Sequence, residues 1–434
     1  MCHKRGTPKP CLFALAALAL STPGLAAQDS AALRAFIPRL EKNLKENIIG
    51  FWMSKSLDRS NGGYIINFGL RSEPKGPGTK MIVTQARQVW FFSHLAHEGY
   101  GKQYLDAADL GYRFLIEKMW DSKNGGFYWE VDPTGSQKLN PKKHLYGQSF
   151  ALYAISEFYL ASGRKDVLEF AVKFFNLLEA RSHDKTYGGY LEYFNEDWST
   201  PPATELSSMG STAPEKLMNT HLHLLEAMTT FYRASRLPLA RERLIELINI
   251  ESSAVVRKDL AACTDRYDRD WTPRLEGSLS TVSYGHDIEN VWLLIDACDA
   301  IGISNYPLVD LYRKLWEYTL KYGYDQEEGG VFYTGGFNEP ANNRNKEWWV
   351  EAEALVSALQ MYRLTKESKY LSVFKQTYDF IEKYQVDWER GEWYATVSPD
   401  GKPYGDKAQV WKAGYHNGRS MIESLKLIKE LLAK

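Results

Sequence analysis

A glycine-rich aromatic turn returns at a nearly fixed interval along this chain, and that interval limits what the chain can fold into. The copies are NGGYII at 61, NGGFYWE at 124, YGGYLEYF at 187, EGGVFYT at 328 and RGEWYAT at 390. The first three advance by 63 residues (61 to 124, 124 to 187), the last two lie 62 apart, and the gap between the third and fourth holds about two periods. LEGSLST at 275 is read as a degenerate copy inside that gap. Repetition on this scale means one supersecondary unit that needs its neighbours to bury its apolar face.

Between the turns, apolar residues fall three and four apart, as on an amphipathic helix. One set includes ARQVWFFSHLAHEG, LYGQSFALYAISEFYLAS, LMNTHLHLLEAMTTFYRAS, DIENVWLLIDACDAIG, VEAEALVSALQMYRLT and RSMIESLKLIKELLAK. A second set alternates with it over about residues 31–57, 102–120, 164–182, 238–252, 305–323 and 368–385. Twelve helices in six hairpins can form an open solenoid or a closed ring. Closure is preferred, because the polar exceptions described next all fall on the first set. The expectation is therefore all-α: a single domain over 28–434, a toroid of six inner and six outer helices, with short β-hairpins in the outer-to-inner links.

The chain of 434 residues has a formal net charge of −1, which makes nucleic acid an unsuitable partner. Lys4, Arg5 and Lys9, the apolar CLFALAALAL and the small residues of STPGLAA read as a secretory signal over 1–27, cleaved near Ala26 or Ala27. Its loss removes three positive charges and no negative ones, taking the net charge from −1 to −4. The apolar run is too short to span a bilayer, and no Cys follows it to carry a lipid anchor. A periplasmic or secreted monomer without a membrane anchor is expected. Cys2 and Cys11 leave with the signal; Cys263 and Cys298 do not make a disulfide framework, and Cys298 reads as a buried thiol.

Six motifs break the apolar pattern near the starts of the first-set helices. They carry Arg87; Tyr146 and Gln148; Asn219, His221, His223 and Glu226; His286, Asp287 and Glu289; Trp348 and Trp349; and Trp411, His416, Asn417 and Arg419. On an inner ring all six reach one end of the toroid and one pocket, where helix N-termini also favour a transient anion. Asn219, His223 and Glu226 share a helix face, and so do His286 and Glu289. His221 points about 160° from His223, so the pair is no metal clamp. Each residue alone has a bland explanation as a cap, a core aromatic or a structural ion pair. Their coincidence on alternate helices is what carries weight. His94, His97, His144 and His183 lack that support and are read as structural.

No phosphate-binding loop, dinucleotide fingerprint, zincin motif or nucleophile elbow is present. A metal centre from His223, His286 and His416 is a minor alternative. Two histidines from different helices, with a carboxylate and an arginine nearby, suit proton transfer at carbon next to a carbonyl. One proton carrier serves an aldose–ketose isomerase; two facing carriers serve an epimerase. A glycoside hydrolase needs a carboxyl pair that does not recur here, and a noncatalytic sugar binder has no use for paired histidines.

NTHLHLLEA, SYGHDIE, WWVEAEAL and YHNGR resemble the N-acylglucosamine 2-epimerase superfamily, and within it the cellobiose 2-epimerase group, over about residues 35–430. The resemblance implies an (α/α)6 barrel acting on small oligosaccharides without a metal or redox cofactor. It implies that His286 and His416 are the acid/base pair on opposite faces of C2 of the reducing-end sugar, and that His223 assists ring opening. By the same resemblance Arg87 and Asn219 bind the carbonyl oxygen and enediolate, and Glu289 supports His286. Trp348 and Trp411 are implied as stacking platforms, with Tyr146 as a further lining residue. Trp349 and Glu226 are counted with the sugar-binding residues. The sequence departs from the family at Glu351, where an amide or imidazole is frequent; a carboxylate there is expected to alter binding of the nonreducing sugar.

Overall fold

The computed structural model describes the backbone over residues 23–433 and side chains from Asp29 onward. The expected signal segment, 1–27, lies outside the described side chains, and residues 1–22 lie outside the description altogether. The outer helices are α1 (Pro23–Lys42) continuing into α2 (Gly50–Lys55), α4 (Lys102–Phe114), α6 (Lys165–Arg181), α8 (Pro238–Asn249), α10 (Val309–Tyr322) and α12 (Ser368–Phe380). The inner helices are α3 (Ile82–His97), α5 (Leu145–Ser162), α7 (Met218–Ser235), α9 (Tyr284–Ile301), α11 (Trp348–Thr365) and α13 (Tyr415–Ala433). Each inner helix packs on the next, and α13 returns to α3, so the ring closes into an (α/α)6 barrel.

Burial explains which set lies inside. Every residue of α5 from Leu145 to Phe158 is buried, whereas α4 buries only Ala107, Ala108, Gly111, Tyr112 and Phe114. A helix apolar all round must be enclosed; one with a single apolar stripe covers it. The chain ends seal the ring. Trp52 Nε1–H donates to Glu392 (2.6 Å), Trp393 Nε1–H donates to Asn43 Oδ1 (2.9 Å), and Arg39 pairs with Asp379 and Glu382. No helix among the described residues is long and apolar enough to cross a membrane. Cys263 and Cys298 are buried free thiols.

The glycine-rich turns lie in the outer-to-inner links and are tied down by a repeated ion pair. A Lys in the link before an inner helix reaches back to the Asp that opens the turn: Lys80–Asp58 (2.8 Å), Lys143–Asp121 (3.1 Å), Lys216–Asp184 (3.1 Å), Lys346–Asp325 (2.9 Å) and Lys407–Asp387 (2.6 Å). The fourth unit is different. Its hairpin pairs Val256 with Cys263 and Arg257 with Ala262, and Ala261 takes the left-handed φ of +60° that glycines supply elsewhere. Arg257 stands where the other units have Asp, and Val282 where they have Lys, so both partners are missing together. LEGSLST is therefore not the fourth copy; it lies in the link before α9.

The fourth residue of each of α3, α5, α7, α9 and α11 locks the hairpin to the barrel. Gln85, Gln148, His221, Asp287 and Glu351 accept backbone N–H bonds from Tyr64, Phe127, Tyr190, Cys263 and Val331, at 2.8–3.0 Å. An amide, an imidazole and a carboxyl all serve here because each offers one buried acceptor. The hairpins in turn build the rim above the inner-helix N-termini, with short antiparallel ladders such as Lys80 opposite Val131 and Lys346 opposite Val397.

Candidate active site

The sixth residues of α3, α5, α7, α9 and α11 are Arg87, Phe150, His223, Glu289 and Glu353, and the fifth of α13 is Arg419. Equivalent positions around a closed ring face the axis together. Three of them, Arg87, His223 and Glu289, line a cavity of about 450 Å³ at the N-terminal end of the inner helices. Ten of the expected residues line it: Arg87, Tyr146, Asn219, His223, His286, Glu289, Trp348, Trp349, Trp411 and His416. Links between helices add Ser208, Met209, Tyr333, Glu347 and Gln409.

Arg419 organises the floor. It is 1% exposed, and its guanidinium meets three carboxyl groups. Nη2 lies 2.8 Å from Glu353 and 3.3 Å from Glu289, while Nη1 donates to Glu226 and Tyr415 Oη. Two of these carboxyls then hold an imidazole. Glu353 Oε1 lies 2.7 Å from His416 Nδ1, and its Oε2 accepts Trp292 Nε1–H at 2.8 Å. Glu226 Oε2 lies 3.0 Å from His223 Nδ1. In both imidazoles Nδ1 is engaged below, so Nε2 is the nitrogen left for a ligand.

Burial sets the charge state. His223, His286 and His416 are all held below the ordinary histidine range because the imidazolium loses its hydration, and the Arg87 guanidinium lowers His223 and His416 further. All three are neutral at neutral pH and able to accept a proton. Burial pushes the Glu289 carboxyl up to about 8 and raises Glu353 well above its usual range, with the charge of Glu289 adding to the latter. Arg419, though pushed down to about 10 by burial, stays cationic.

The rest of the wall is fixed and partly unpaired. Arg87 donates from Nη1 to the Trp411 carbonyl (2.7 Å) and from Nη2 to Tyr146 Oη (3.0 Å), with its guanidinium 4.3 Å from the Phe150 ring centre. Trp349 contacts both His286 and His416, at 4.8 Å and 6.0 Å between ring centres. Trp348 meets His416 edge-on at 6.4 Å, and Trp411 lies 6.3 Å from Tyr146. Arg87 Nε, Asn219 Oδ1, Glu289 Oε2 and Trp348 Nε1 have no partner among the described residues, although buried polar atoms ordinarily do. Such a wall suits a ligand rich in hydroxyls. Glu289, Glu353 and His416 bring three ligand atoms within 4.8 Å of one another, but the Arg419 guanidinium already lies against both carboxyls where a metal would compete with it.

Three expectations change. Glu289 does not bond to His286; its Oε1 is turned to Arg419, because a buried carboxyl takes the nearest cation. Glu226 does not line the cavity; it lies beneath His223 as that ring's partner. Glu351 is a hairpin lock and likewise does not line the cavity, so it does not touch a sugar there. Glu353, Tyr415 and the role of Arg419 were missed. The signal was available: numbering the inner helices from a common start places Glu353 level with Arg87, His223 and Glu289.

Glu353 is a positioning residue for His416. Glu353→Ala is expected to lower kcat about 10- to 100-fold, part of what a well-held acid or base contributes, with little change in KM. Glu353→Gln, which keeps an acceptor for Nδ1–H, should recover part of the loss. A change confined to KM would contradict the assignment.

Residues 63–418 match the N-acylglucosamine 2-epimerase family. The chain is 32% identical over 403 residues to the cellobiose 2-epimerase of Dictyoglomus turgidum, covering 91% of this chain and 100% of that one. It is 31% identical to the cellobiose 2-epimerase of Bacteroides fragilis, covering 89% and 97%. The structure of cellobiose 2-epimerase from Spirochaeta thermophila superposes with a TM-score of 0.84 at 35% identity, covering 93% of this chain and 98% of that one. With its closed ring and its histidine-lined cavity, this chain belongs to the N-acylglucosamine 2-epimerase family and is a carbohydrate epimerase.

Proposed function

We propose that the protein is a disaccharide 2-epimerase that interconverts glucose and mannose at the reducing end of β-1,4-linked disaccharides, cellobiose or mannobiose. One observation carries the reading. His286 from α9 and His416 from α13 border the same cavity, and the Trp349 ring contacts both. His223 assists opening of the reducing-end ring. One imidazole then takes the C2 proton, and the electron pair moves to the carbonyl oxygen to form a cis-enediolate. Arg87 and Asn219 hold that oxygen, where developing negative charge needs donors already in place. Rotation about C2–C3 presents the other face; the second imidazole, having taken up a proton from solvent, delivers it to C2, and the first ring releases to solvent the proton it took. Solvent exchange resets the two rings.

The relatives named cellobiose 2-epimerase support the disaccharide. A cavity of about 450 Å³ with three tryptophans in its wall is consistent with two stacked sugar rings. Incubation of the purified protein with cellobiose, mannobiose, mannose and N-acetylglucosamine, followed by NMR of the products, tests the reading. The expected product from cellobiose is its C2 epimer. A ketose as sole product would replace this reading with aldose–ketose isomerisation, and released monosaccharide would replace it with hydrolysis.

A further inference from the structure

A second cavity, of about 240 Å³, lies behind the Arg419 floor and is bordered by the C-terminal halves of the inner helices. Arg419 and Glu226 border this second space, and from there Arg419 reaches Glu289 and Glu226 reaches His223, both residues of the first cavity. Here α3 presents two histidines one turn apart, His94 and His97, and α5 presents Glu157 between them. Glu157 Oε1 lies 2.8 Å from His94 Nδ1 and 2.8 Å from His97 Nδ1. Glu423 from α13 lies 3.0 Å from the other ring nitrogen, His94 Nε2.

We propose that this cluster is a divalent transition-metal site, with His94 Nδ1, His97 Nδ1 and Glu157 Oε1 as ligands and Glu423 as the carboxylate that orients His94. Each Nδ1 lies 2.8 Å from Glu157 Oε1, the separation of two ligands set at nearly a right angle about 2.0–2.2 Å from one ion. A carboxylate on the far nitrogen of a ligating histidine is the recurrent outer contact of such sites, because it fixes the tautomer and the ring plane. The Trp90 ring, stacked on His94 at 4.6 Å, holds the same plane. Two imidazoles and one carboxylate select zinc, cobalt(II) or iron(II) over calcium or magnesium, which prefer oxygen ligands. The adjoining cavity leaves space for water to complete the coordination.

The local field also favours a cation. The C-terminal ends of the inner helices point their carbonyls toward this end of the barrel. Arg233 makes a double contact with Asp296 (2.7 and 2.8 Å) and Lys426 pairs with Glu98 (2.9 Å), so the charge an ion would displace is the proton held on His94 between Glu157 and Glu423. His97 has 39% of its side chain exposed, which gives an ion a route in.

The test is equilibrium dialysis of the full chain against Co²⁺ and, separately, Zn²⁺, followed by metal analysis and the visible spectrum of the cobalt form. About one equivalent is expected in wild type, with a cobalt spectrum of nitrogen and oxygen ligation. His97→Ala and Glu157→Gln should abolish that equivalent. Glu423→Gln should weaken it about 10- to 100-fold, as loss of an outer-shell partner does. His416→Ala should leave it intact, which separates this site from the active-site cluster. Circular dichroism of the metal-free variants checks folding, and His97, being exposed, is the variant that must fold. Binding unchanged in His97→Ala, or a wild type that takes up no metal, overturns the proposal.

Discussion

Replacing His286 or His416 with alanine is expected to lower epimerisation about 10²- to 10⁴-fold, the contribution of a positioned acid or base. The expected loss is similar for the two, because inversion needs both faces of C2 served. What separates two carriers from one is hydrogen exchange. If each imidazole serves its own face, His286→Ala still removes the C2 proton from the epimer that presents it to His416. That epimer then exchanges with solvent deuterium without inverting. His416→Ala should show the converse preference, for the other epimer. NMR in D₂O reads both signals in one sample. Epimerisation within tenfold of wild type in either variant would remove that residue from the mechanism. Loss of all exchange in both variants would point to one shared carrier.

Much of the fold was legible because its period is written in residues with a fixed mechanical task. Gly62–Gly63, Gly125–Gly126 and Gly188–Gly189 all take positive φ, a conformation that favours glycine, so the turns advertise themselves. The fourth unit escaped notice because Ala261 bears the same strain without the signature, and because its Asp–Lys pair is absent at both ends. In the site, Ser208, Met209, Tyr333, Glu347 and Gln409, from the links, carried no periodic signal, whereas the cavity-lining residues on or beside the inner helices stood out as interruptions of an apolar pattern. The residues beneath them did not. Glu353 looked like an ordinary helix former within VEAEAL, and Glu351, two residues earlier, drew attention although it faces the hairpin instead. Pattern alone places a residue on a helix face. It does not say which carboxyl a buried guanidinium will take, since that depends on three helices distant in sequence meeting at one point. His286 and Glu289 share a face as spacing requires, yet Glu289 turned to Arg419, since a charged donor outweighs a neutral ring as a partner in a buried setting.

The same guanidinium supplies the largest expected effect on stability. Arg419→Met removes the charge that Glu226, Glu289 and Glu353 share while nearly keeping the side-chain length. Breaking a buried ion pair from one side costs about 3–5 kcal/mol, because the partner is left buried and uncompensated. Here the partners have an escape, which gives the loss a pH dependence. Without Arg419 the Glu289 and Glu353 carboxyls, which burial already raises, are raised further, and Glu289 already stands at about 8. A carboxyl raised in the folded state contributes its stability in full below the unfolded value, and that stability is lost as pH rises toward the folded one. Wild type itself holds the Glu289 proton up to about 8, so the two proteins diverge above that value, and the deficit of Arg419→Met should be smaller at pH 5.5 than at pH 9.5, where the folded variant must hold protons that the unfolded chain releases. Urea unfolding of both proteins at the two pH values measures this directly. Arg419→Lys separates charge from geometry. It keeps the cation, so the pH dependence should shrink, but a single ammonium cannot reach three carboxyls with the fork of a guanidinium, so part of the loss should remain. A deficit under about 1 kcal/mol, or one equal at both pH values, would mean that Arg419 is not what holds these acids together beneath the catalytic imidazoles.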